Sequence, residues 1–343
     1  MTDDPTGTPN TTPTAASGAT SATSATSDAE LRAAITRVRT EVGKAVVGQD
    51  GAITGLLIAL LARGHVLLEG VPGVAKTLLV RSFSRALGLD TRRIQFTPDL
   101  MPGDVTGSLI YDASTGGFDF REGPVFTHVL LADEINRTPP KTQSALLEAM
   151  EERQVSADGV TRALPDPFLV AATQNPIEHE GTYQLPEAQL DRFLLKLEIG
   201  IPERDAEVAV LRRHADGFTP RDLAGAGVAP TIGIDEIHAA QQAAARVAVT
   251  DDVLAYVVDL ARATRQSPSV KLGVSPRASA ALLATAKAWA WLGGYPAITP
   301  DHVQTMIVPT WQHRIQLRPE AEIEGVSAEA VLTSVVQQTR VPL

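Results

Sequence analysis

The most informative segment of the chain is His65-Val-Leu-Leu-Glu-Gly-Val-Pro-Gly-Val-Ala-Lys-Thr77, which a helical pattern over residues 78–87 follows. Residues 65–68 form a short apolar run, and such a run predicts a buried strand. A strand that leads through a glycine-rich loop to Lys-Thr at the start of a helix is typical of a phosphate-binding loop. The alternative is an ordinary strand-turn-helix with a lysine on the surface.

Each part of this loop has a chemical role in binding phosphate. Gly70 and Gly73 let backbone amides curl around phosphate oxygens, and the positive end of the helix dipole adds to the attraction. We expect Lys76 to contact the β- and γ-phosphates and the Thr77 hydroxyl to bind Mg²⁺. Glycine usually precedes the lysine, so the methyl group of Ala75 is expected to require a negative φ. The expected cofactors are ATP and Mg²⁺, and the residues expected to bind the nucleotide here are Gly70, Val71, Pro72, Gly73, Val74, Ala75, Lys76, Thr77 and Leu78.

A second apolar run, residues 128–132, ends in the adjacent carboxylates Asp133 and Glu134. The carboxyl ends of parallel strands form the edge at which α/β proteins bind ligands. We expect Asp133 to hold the hydration shell of Mg²⁺ and Glu134 to polarise the water that attacks the γ-phosphate. Taken alone, the pair would more simply be a helix start capped by Asp133. Together with the phosphate loop upstream, it favours an ATPase.

Three polar residues in later segments are candidates for the same site. Asn175 follows a predicted strand over residues 168–173, where its side chain would reach the γ-phosphate or the water. Arg192 follows a short predicted helix, and Arg277 lies in the first turn of another. A cation at the N-terminal end of a helix is opposed by the helix dipole, and a nearby anion would offset that cost. The simpler interpretations are a turn-forming asparagine, an arginine paired with Asp191 or another surface acid, and an exposed arginine.

The chain divides into regions with different patterns of predicted secondary structure. Residues 28–201 alternate helix, strand and loop, and Asp28 is the expected N-cap of the first helix. The strands there are apolar on both faces, which predicts a parallel sheet flanked by helices. Residues 202–343 contain helical patterns, so the predicted architecture is an α/β domain followed by an all-α domain. The helices predicted for the second domain are 203–215, 234–246, 251–264, 276–292, 300–312 and 327–339.

The composition excludes several classes of protein. The 343 residues include no cysteine, which excludes disulfide scaffolds and thiolate sites and fits a reducing compartment, so we expect the cytoplasm. The net charge of −10 argues against a basic nucleic-acid coat. No apolar run approaches the ~20 residues of a membrane span. Residues 1–27 are rich in Thr, Ser and Ala, do not resemble a signal peptide and have almost nothing to bury, so we expect a disordered tail.

Two insertions in the first domain have the pattern of β-hairpins. The first, residues 108–120, has strand-like runs around Gly116-Gly117, and the second, residues 154–163, has the turn signal Asp158-Gly159. Hairpins that project from a nucleotide-driven core would touch a substrate or a partner. The alternative is that they only pack between subunits.

The order of these motifs resembles that of AAA+ ATPases, and in particular of the MoxR family. The segments that carry the resemblance are Val47-Gly-Gln49, Gly70-Val-Pro-Gly-Val-Ala-Lys-Thr77, Gln95-Phe-Thr-Pro-Asp-Leu-Met-Pro102, Ala132-Asp-Glu-Ile-Asn-Arg137, Tyr183-Gln-Leu-Pro-Glu-Ala-Gln-Leu-Asp-Arg-Phe193 and Ser275-Pro-Arg277. The resemblance covers the chain from about residue 30 to its end, all but the tail. Ala75 is a variant of the phosphate loop that this family accepts.

The resemblance implies a role for each remaining candidate. Asn175 would be the first sensor of the γ-phosphate, and Arg277 the second sensor, which approaches the phosphates from the lid of the same subunit. Arg192 would be an arginine finger that reaches the nucleotide of the neighbouring subunit, and Val47 and Gly48 would flank the adenine. The family forms hexameric rings and matures or activates other proteins, often partners with a von Willebrand factor A domain. We therefore expect a homo-oligomer with a protein client.

Other functions fit part of this pattern. A ring motor or clamp-loading switch on nucleic acid would use the same core, but the net charge of −10 and the absence of an evident Lys/Arg-aromatic cluster in the sequence argue against it. The ATPase subunit of a metal chelatase is a second alternative. A nucleotide-gated binding protein without turnover is a third, and the intact Asp133, Glu134 and Arg192 argue against that one.

Overall fold

The computed structural model describes residues 27–114, 116–157, 159–175 and 182–342. Apart from Ser27, the tail predicted for residues 1–27 lies outside the described residues, as does Asp158 of the second hairpin turn. The strands are β1 (Val66–Glu69), β2 (Thr91–Gln95), β3 (Gly107–Asp112), β4 (Gly117–Glu122), β5 (Val129–Asp133), β6 (Gln154–Ala157), β7 (Val160–Ala163), β8 (Leu169–Gln174), β9 (Leu195–Glu198), β10 (Val270–Leu272) and β11 (Gln316–Leu317). The α-helices are α1 (Asp28–Gly43), α2 (Asp50–Leu61), α3 (Lys76–Ala86), α4 (Pro102–Thr106), α5 (Pro140–Glu152), α6 (Glu187–Leu190), α7 (Arg204–Ala215), α8 (Ile234–Ala245), α9 (Asp251–Gln266), α10 (Pro276–Leu292), α11 (Pro300–Trp311), α12 (Pro319–Ile323) and α13 (Ala328–Gln338). None of these helices is both long enough and apolar enough to cross a membrane.

The predicted parallel sheet is present and has five strands in the order β2-β5-β8-β1-β9. Each adjacent pair is parallel, and Gln95 of β2 lies beside Asp133 of β5. Side chains alternate between the two faces, so Val66 and Leu68 enter one hydrophobic core while Leu67 enters another. Helices cover both faces, which is why the strands are continuous apolar runs.

The strands extend further toward the carboxyl edge than their apolar runs. The central strands β1, β5 and β8 end at Glu69, Asp133 and Gln174, each of them a polar residue. Sheet pairing continues through these positions, and Glu69 lies beside Gln174 in the β1–β8 ladder. Three neighbouring strands therefore present polar side chains at one edge of the sheet, where parallel sheets bind ligands.

The second domain is helical, and each predicted helix is present to within two residues at either end, as α7, α8, α9, α10, α11 and α13. The short helix α12 and the strands β10 and β11 were not predicted, because segments of a few residues show no clear periodicity. Trp291 and Trp311 are buried in the same core as Val66 and Leu68, so the two domains share a hydrophobic core.

Helix α1 has Ser27, and not Asp28, as its N-cap. The Glu30 N–H donates to Ser27 Oγ at 3.3 Å, and the Ser27 N–H donates to the Glu30 carboxylate at 2.8 Å. This reciprocal pair is a capping box. The expected cap was wrong by one residue, because Glu30 stands three residues after Ser27. Asp28 is instead the first helical residue, where its charge suits the helix dipole.

The two inserted hairpins form antiparallel pairs, β3 with β4 and β6 with β7. Arg162 of the second hairpin stacks on Phe120 of the first, with its Cζ 3.9 Å from the ring centroid. Farther along the first hairpin, Tyr111 and Phe118 form an exposed aromatic pair with centroids 5.4 Å apart. The hairpins therefore contact each other within the chain, and their contact with a client or a second subunit stays a prediction.

Candidate functional site

The phosphate loop connects β1 to α3, which begins at Lys76. Two of its glycines are required for different reasons. A Cβ on Gly70 would lie 2.3 Å from the carbonyl oxygen of Ile199, because the backbone that leaves β9 passes close to this residue. Gly73 has open space around it but a φ of +89°, which residues with a side chain rarely adopt. The shape of the loop depends on both.

Ala75 adopts a left-handed conformation, with a φ of +62° and a ψ of +24°. The expectation of a negative φ was therefore wrong. The loop imposes a glycine-like conformation on alanine, at a cost of about 1–2 kcal/mol. The next residue, Lys76, donates a hydrogen bond from Nζ to the carbonyl oxygen of Gly70 at 2.5 Å. Its ammonium group thus lies against the loop that would enclose a phosphate group.

Asp133 ends β5 and is 8% exposed. Its Oδ1 accepts a hydrogen bond from Thr173 Oγ1 at 2.5 Å, and its Oδ2 accepts one from Arg93 Nη2 at 2.7 Å. The strands on both sides of β5 therefore hold this carboxylate. The sequence analysis missed Thr173 and Arg93. Thr173 had a signal, because it is a polar residue in the predicted strand 168–173, whereas no strand was predicted around Arg93.

Glu134 follows in a left-handed conformation, with a φ of +57°. Its N–H donates to Thr173 Oγ1 at 2.9 Å, so one hydroxyl orients both acidic residues. The carboxylate Oε2 accepts a hydrogen bond from Gln95 Nε2 at 2.7 Å and lies 3.2 Å from Arg137 Nε. Backbone conformations of this kind cluster at functional sites. Here they accompany a carboxylate that two neighbours restrain.

A cavity of about 940 Å³ opens at this edge of the sheet. Its lining includes Asp133, Glu134 and Asn175 together with residues predicted to bind nucleotide, which are Val47, Val71, Pro72, Gly73, Val74, Ala75, Lys76, Thr77 and Leu78. Gly48 and Gly70 are outside the described lining. Gly48 has a φ of +74°, and a Cβ there would lie 3.0 Å from the Cβ of Ala206. The structure therefore gathers the loop, the carboxylate pair and Asn175 around one cavity.

One wall of the cavity is apolar and comes from both sides of the domain boundary. Val47 and Ile201 contribute to it, together with Leu211 on α7 and Phe218 beyond that helix. No residue within α7 is buried, and Leu211 is 69% exposed. His214 packs edge-on against Phe218 with centroids 5.6 Å apart. An exposed apolar wall beside a phosphate loop suits a planar base, and the sequence analysis missed the contribution of α7 to it.

Arg192 and Arg277 lie together, and both are outside the described lining of that cavity. Arg192 Nη2 is 3.0 Å from Glu151 Oε2, and Arg277 Nη1 is 3.1 Å from Glu151 Oε1. Arg192 also donates from Nη1 to the carbonyl oxygen of Leu147 at 2.7 Å. A local ion pair of Arg192 is thus observed, with Glu151. Helix α10 places Arg277 beside α5, where it pairs with Glu151, and not among the described lining residues around the phosphate loop of the same chain.

Comparisons with known proteins agree with this geometry. The sequence profile described as "ATPase family associated with various cellular activities (AAA)" matches residues 65–195, and the profile described as "AAA lid domain" matches residues 262–335. Uncharacterized protein YeaC of Bacillus subtilis is 48% identical to this chain over 88% of it and 93% of YeaC. Chaperone MoxR1 of Mycobacterium tuberculosis is 43% identical over 90% of this chain and 82% of its own length.

A solved structure shows the same architecture. The crystal structure of a candidate ATPase from Cytophaga hutchinsonii superposes with a TM-score of 0.85 at 38% identity, and it covers 92% of this chain and 97% of the other. These matches extend across both domains, so they include the phosphate loop, the carboxylate pair and the helical region. On this evidence the chain belongs to the MoxR family of AAA+ ATPases.

Proposed function

We propose that the protein hydrolyses ATP and couples its binding and hydrolysis to the remodelling, maturation or activation of a partner protein. The observation that supports this most directly is the single cavity lined by Lys76, Thr77, Asp133, Glu134 and Asn175. These residues supply an ammonium, a hydroxyl, two carboxylates and an amide at one edge of the sheet. That set of groups suits a nucleoside triphosphate whose γ-phosphate is attacked by water.

Thr77 and Asp133 suit a magnesium ion. Both offer the oxygen ligands that Mg²⁺ prefers, and both line the cavity. When bound, Mg²⁺ would neutralise charge on the β- and γ-phosphates. Because Thr173 and Arg93 already engage the Asp133 carboxylate, Asp133 is suited to hold the water shell of the ion.

Glu134 is the proposed general base. Its carboxylate takes a proton from the attacking water as the water oxygen bonds to the γ-phosphorus, and the bond to the β–γ bridging oxygen breaks, which releases ADP and phosphate. Gln95 and Arg137 hold this carboxylate in place. Asn175 is proposed to orient the water or the γ-phosphate.

We propose that Arg192 and Arg277 complete the site of a neighbouring subunit. In their own subunit the two guanidinium groups share the Glu151 carboxylate. Arginines that bind a carboxylate also suit phosphate oxygens, since the guanidinium fork matches both. Hydrolysis then requires an assembly, and the resemblance to MoxR proteins supports a hexameric ring and a client with a von Willebrand factor A domain.

The test is phosphate release from ATP by the wild type and by Glu134→Gln, which keeps the shape of the side chain and cannot take the proton. We expect the wild type to hydrolyse ATP with Mg²⁺ and the variant to bind ATP without turnover. A pull-down with the ATP-bound variant then identifies the client. Hydrolysis by the variant at the wild-type rate would place the base elsewhere. Strong stimulation of the wild type by DNA would favour a motor on nucleic acid.

A further inference from the structure

Arg314 is a buried cation whose role the sequence analysis did not consider. It follows helix α11 in the second domain, and its side chain is 4% exposed. Burial lowers the pKa of Arg314, and the Asp191 carboxylate opposes that shift. A buried guanidinium is costly unless its charge is paired and its donors have acceptors. The positions of its acceptors therefore indicate which part of the fold the Arg314 guanidinium holds in place.

All five N–H donors of the guanidinium group have acceptors. Nε donates to Asp191 Oδ1 at 2.7 Å. The terminal nitrogens donate to four carbonyl oxygens, those of Asp191 at 3.2 Å, Phe193 at 2.7 Å, Leu194 at 3.1 Å and Thr310 at 2.5 Å. Three of these carbonyls belong to the turn between α6 and β9, residues 191–194, and they stand on both sides of Arg192. One planar group from the second domain therefore fixes the backbone that carries Arg192.

The same contacts extend to Arg277. Asp191 Oδ2 is 3.8 Å from Arg277 Nε, while Asp191 Oδ1 is bound by Arg314. Arg192 and Arg277 then meet at Glu151. Arg314 thus stands one contact away from each of the two arginines proposed to act on a neighbouring subunit.

We propose that Arg314 is a positioning residue for Arg192, and that through it the position of Arg192 depends on the second domain of the same subunit. This inference rests on the proposed function, because it requires Arg192 to act in a neighbour's site. A displacement of about 1 Å in a catalytic group costs up to ~10²-fold in rate. Without the guanidinium contacts, the carbonyls of Asp191 and Leu194 lose the Arg314 donor, and that of Phe193 keeps only the contact with His313.

Neighbouring contacts provide a matched control. Gln312 Nε2 donates to the carbonyl oxygen of Lys196 at 3.0 Å, so it joins the same two domains at a point beyond the 191–194 turn. His313 Nε2 lies 2.9 Å from the carbonyl oxygen of Phe193, and this contact remains when Arg314 is changed. Gln312→Ala therefore weakens the contact between the domains while the donors to the turn stay in place.

The experiment compares full-length wild type, Arg314→Lys, Gln312→Ala and Arg192→Ala. Lysine keeps a positive charge near Asp191, but its single nitrogen cannot span the acceptors. We expect Arg314→Lys to bind a fluorescent ATP analogue within about twofold of wild type, whereas its kcat falls about tenfold or more. Gln312→Ala should keep the wild-type kcat. When Arg192 is already replaced by alanine, adding Arg314→Lys should not lower kcat any further.

Mixing subunits separates positioning from a structural role. Arg314→Lys mixed with Glu134→Gln should regain activity, because some interfaces then pair an intact Glu134 with an intact Arg314. A loss that mixing does not restore would mean that Arg314 acts within its own subunit, which overturns the inference. A wild-type kcat for Arg314→Lys, with Arg192→Ala inactive, would also overturn the inference. The proposed function would stand in that case.

Wild-type hydrolysis by Arg192→Ala would overturn both the composite site and the role of Arg314. Circular dichroism checks that each variant folds. Should Arg314→Lys fail that check, Arg314→Gln gives the same measurement, since its amide has only two N–H donors and cannot serve the five bonds that the guanidinium makes. A wild-type kcat for Arg314→Gln would then overturn the inference.

Discussion

Arg192 from the first domain and Arg277 from the second bind different oxygens of one carboxylate, that of Glu151. Two cations repel at short range, so an anion between them is needed to hold them together. Their side chains are 30% and 56% exposed, which leaves this place open to an anion from outside the subunit. The arrangement supports the proposed joint role of the two arginines in the site of a neighbouring subunit.

Arg277→Ala is expected to keep the ATP affinity of the dilute subunit, because Arg277 is outside the described lining of its own cavity. Hydrolysis by the concentrated assembly should fall by ~10²-fold or more, since a cation that meets the γ-phosphate is lost. Phosphate release should recover when the variant is mixed with Glu134→Gln. The exposed Arg262 on α9 provides the control Arg262→Ala, which should behave as wild type. Weaker ATP binding by dilute Arg277→Ala would assign the residue to its own subunit's site.

Thr173→Val is expected to lower both stability and kcat. The buried hydroxyl donates to Asp133 and accepts from the Glu134 N–H, and valine has a similar shape without it. Loss of these partners should reduce the free energy of unfolding by about 1–3 kcal/mol, as measured by urea denaturation. Thr173→Ser keeps the hydroxyl and should retain most of the kcat in a phosphate-release assay. Equal rates for the two variants would show that the hydroxyl does not orient the carboxylates.

Ala75→Gly is expected to leave the stability unchanged or raise it by up to about 1.6 kcal/mol. The substitution removes about 1–2 kcal/mol of left-handed strain, and the extra freedom of glycine in the unfolded chain offsets about 0.4–1 kcal/mol of that gain. Gly73→Ala, at a φ of +89°, should have the opposite sign. Urea denaturation of both variants measures the difference. Destabilisation by Ala75→Gly would mean that the methyl group makes a stabilising contact.

His65 is expected to make the fold sensitive to acid. Its Nδ1 accepts a hydrogen bond from the Val170 N–H at 3.0 Å, and its Nε2 lies 3.1 Å from the Met150 carbonyl oxygen, which suits a neutral ring. Burial lowers the pKa of His65 from 6.5 to about 4. The unfolded chain therefore binds the proton more readily, so this contribution to stability is complete above pH 6.5 and decreases as the pH falls toward 4.

The pH dependence of unfolding for His65→Gln checks this expectation. Between neutral pH and pH 5, the free energy of unfolding should fall less in the variant than in the wild type. The slopes of the two pH dependences should differ by the uptake of at most one proton. The exposed His214 offers a control, since His214→Gln should keep the wild-type dependence. Identical curves for wild type and His65→Gln would show that His65 titrates alike in the folded and unfolded chains.

Much of the site is encoded in contiguous segments and is therefore visible in the sequence. Lys76 and Thr77 follow their strand and glycines directly, and Asp133 and Glu134 follow theirs. Hydrophobic periodicity shows where each strand ends, and parallel strands place their carboxyl ends at one edge. The meeting of these groups in one cavity follows from local pattern and chain direction alone.

The partners of those groups follow from strand order and domain packing, which no local pattern encodes. β5 lies between β2 and β8 in the sheet, so Arg93 and Thr173 reach Asp133 from strands that are distant in sequence. The position of Arg277 in the first turn of α10 was evident, but the packing of the second domain on α5 places it at Glu151. Arg314 had no sequence signal, because its acceptors are backbone carbonyls of a turn in the other domain, and only the folded chain brings them within reach.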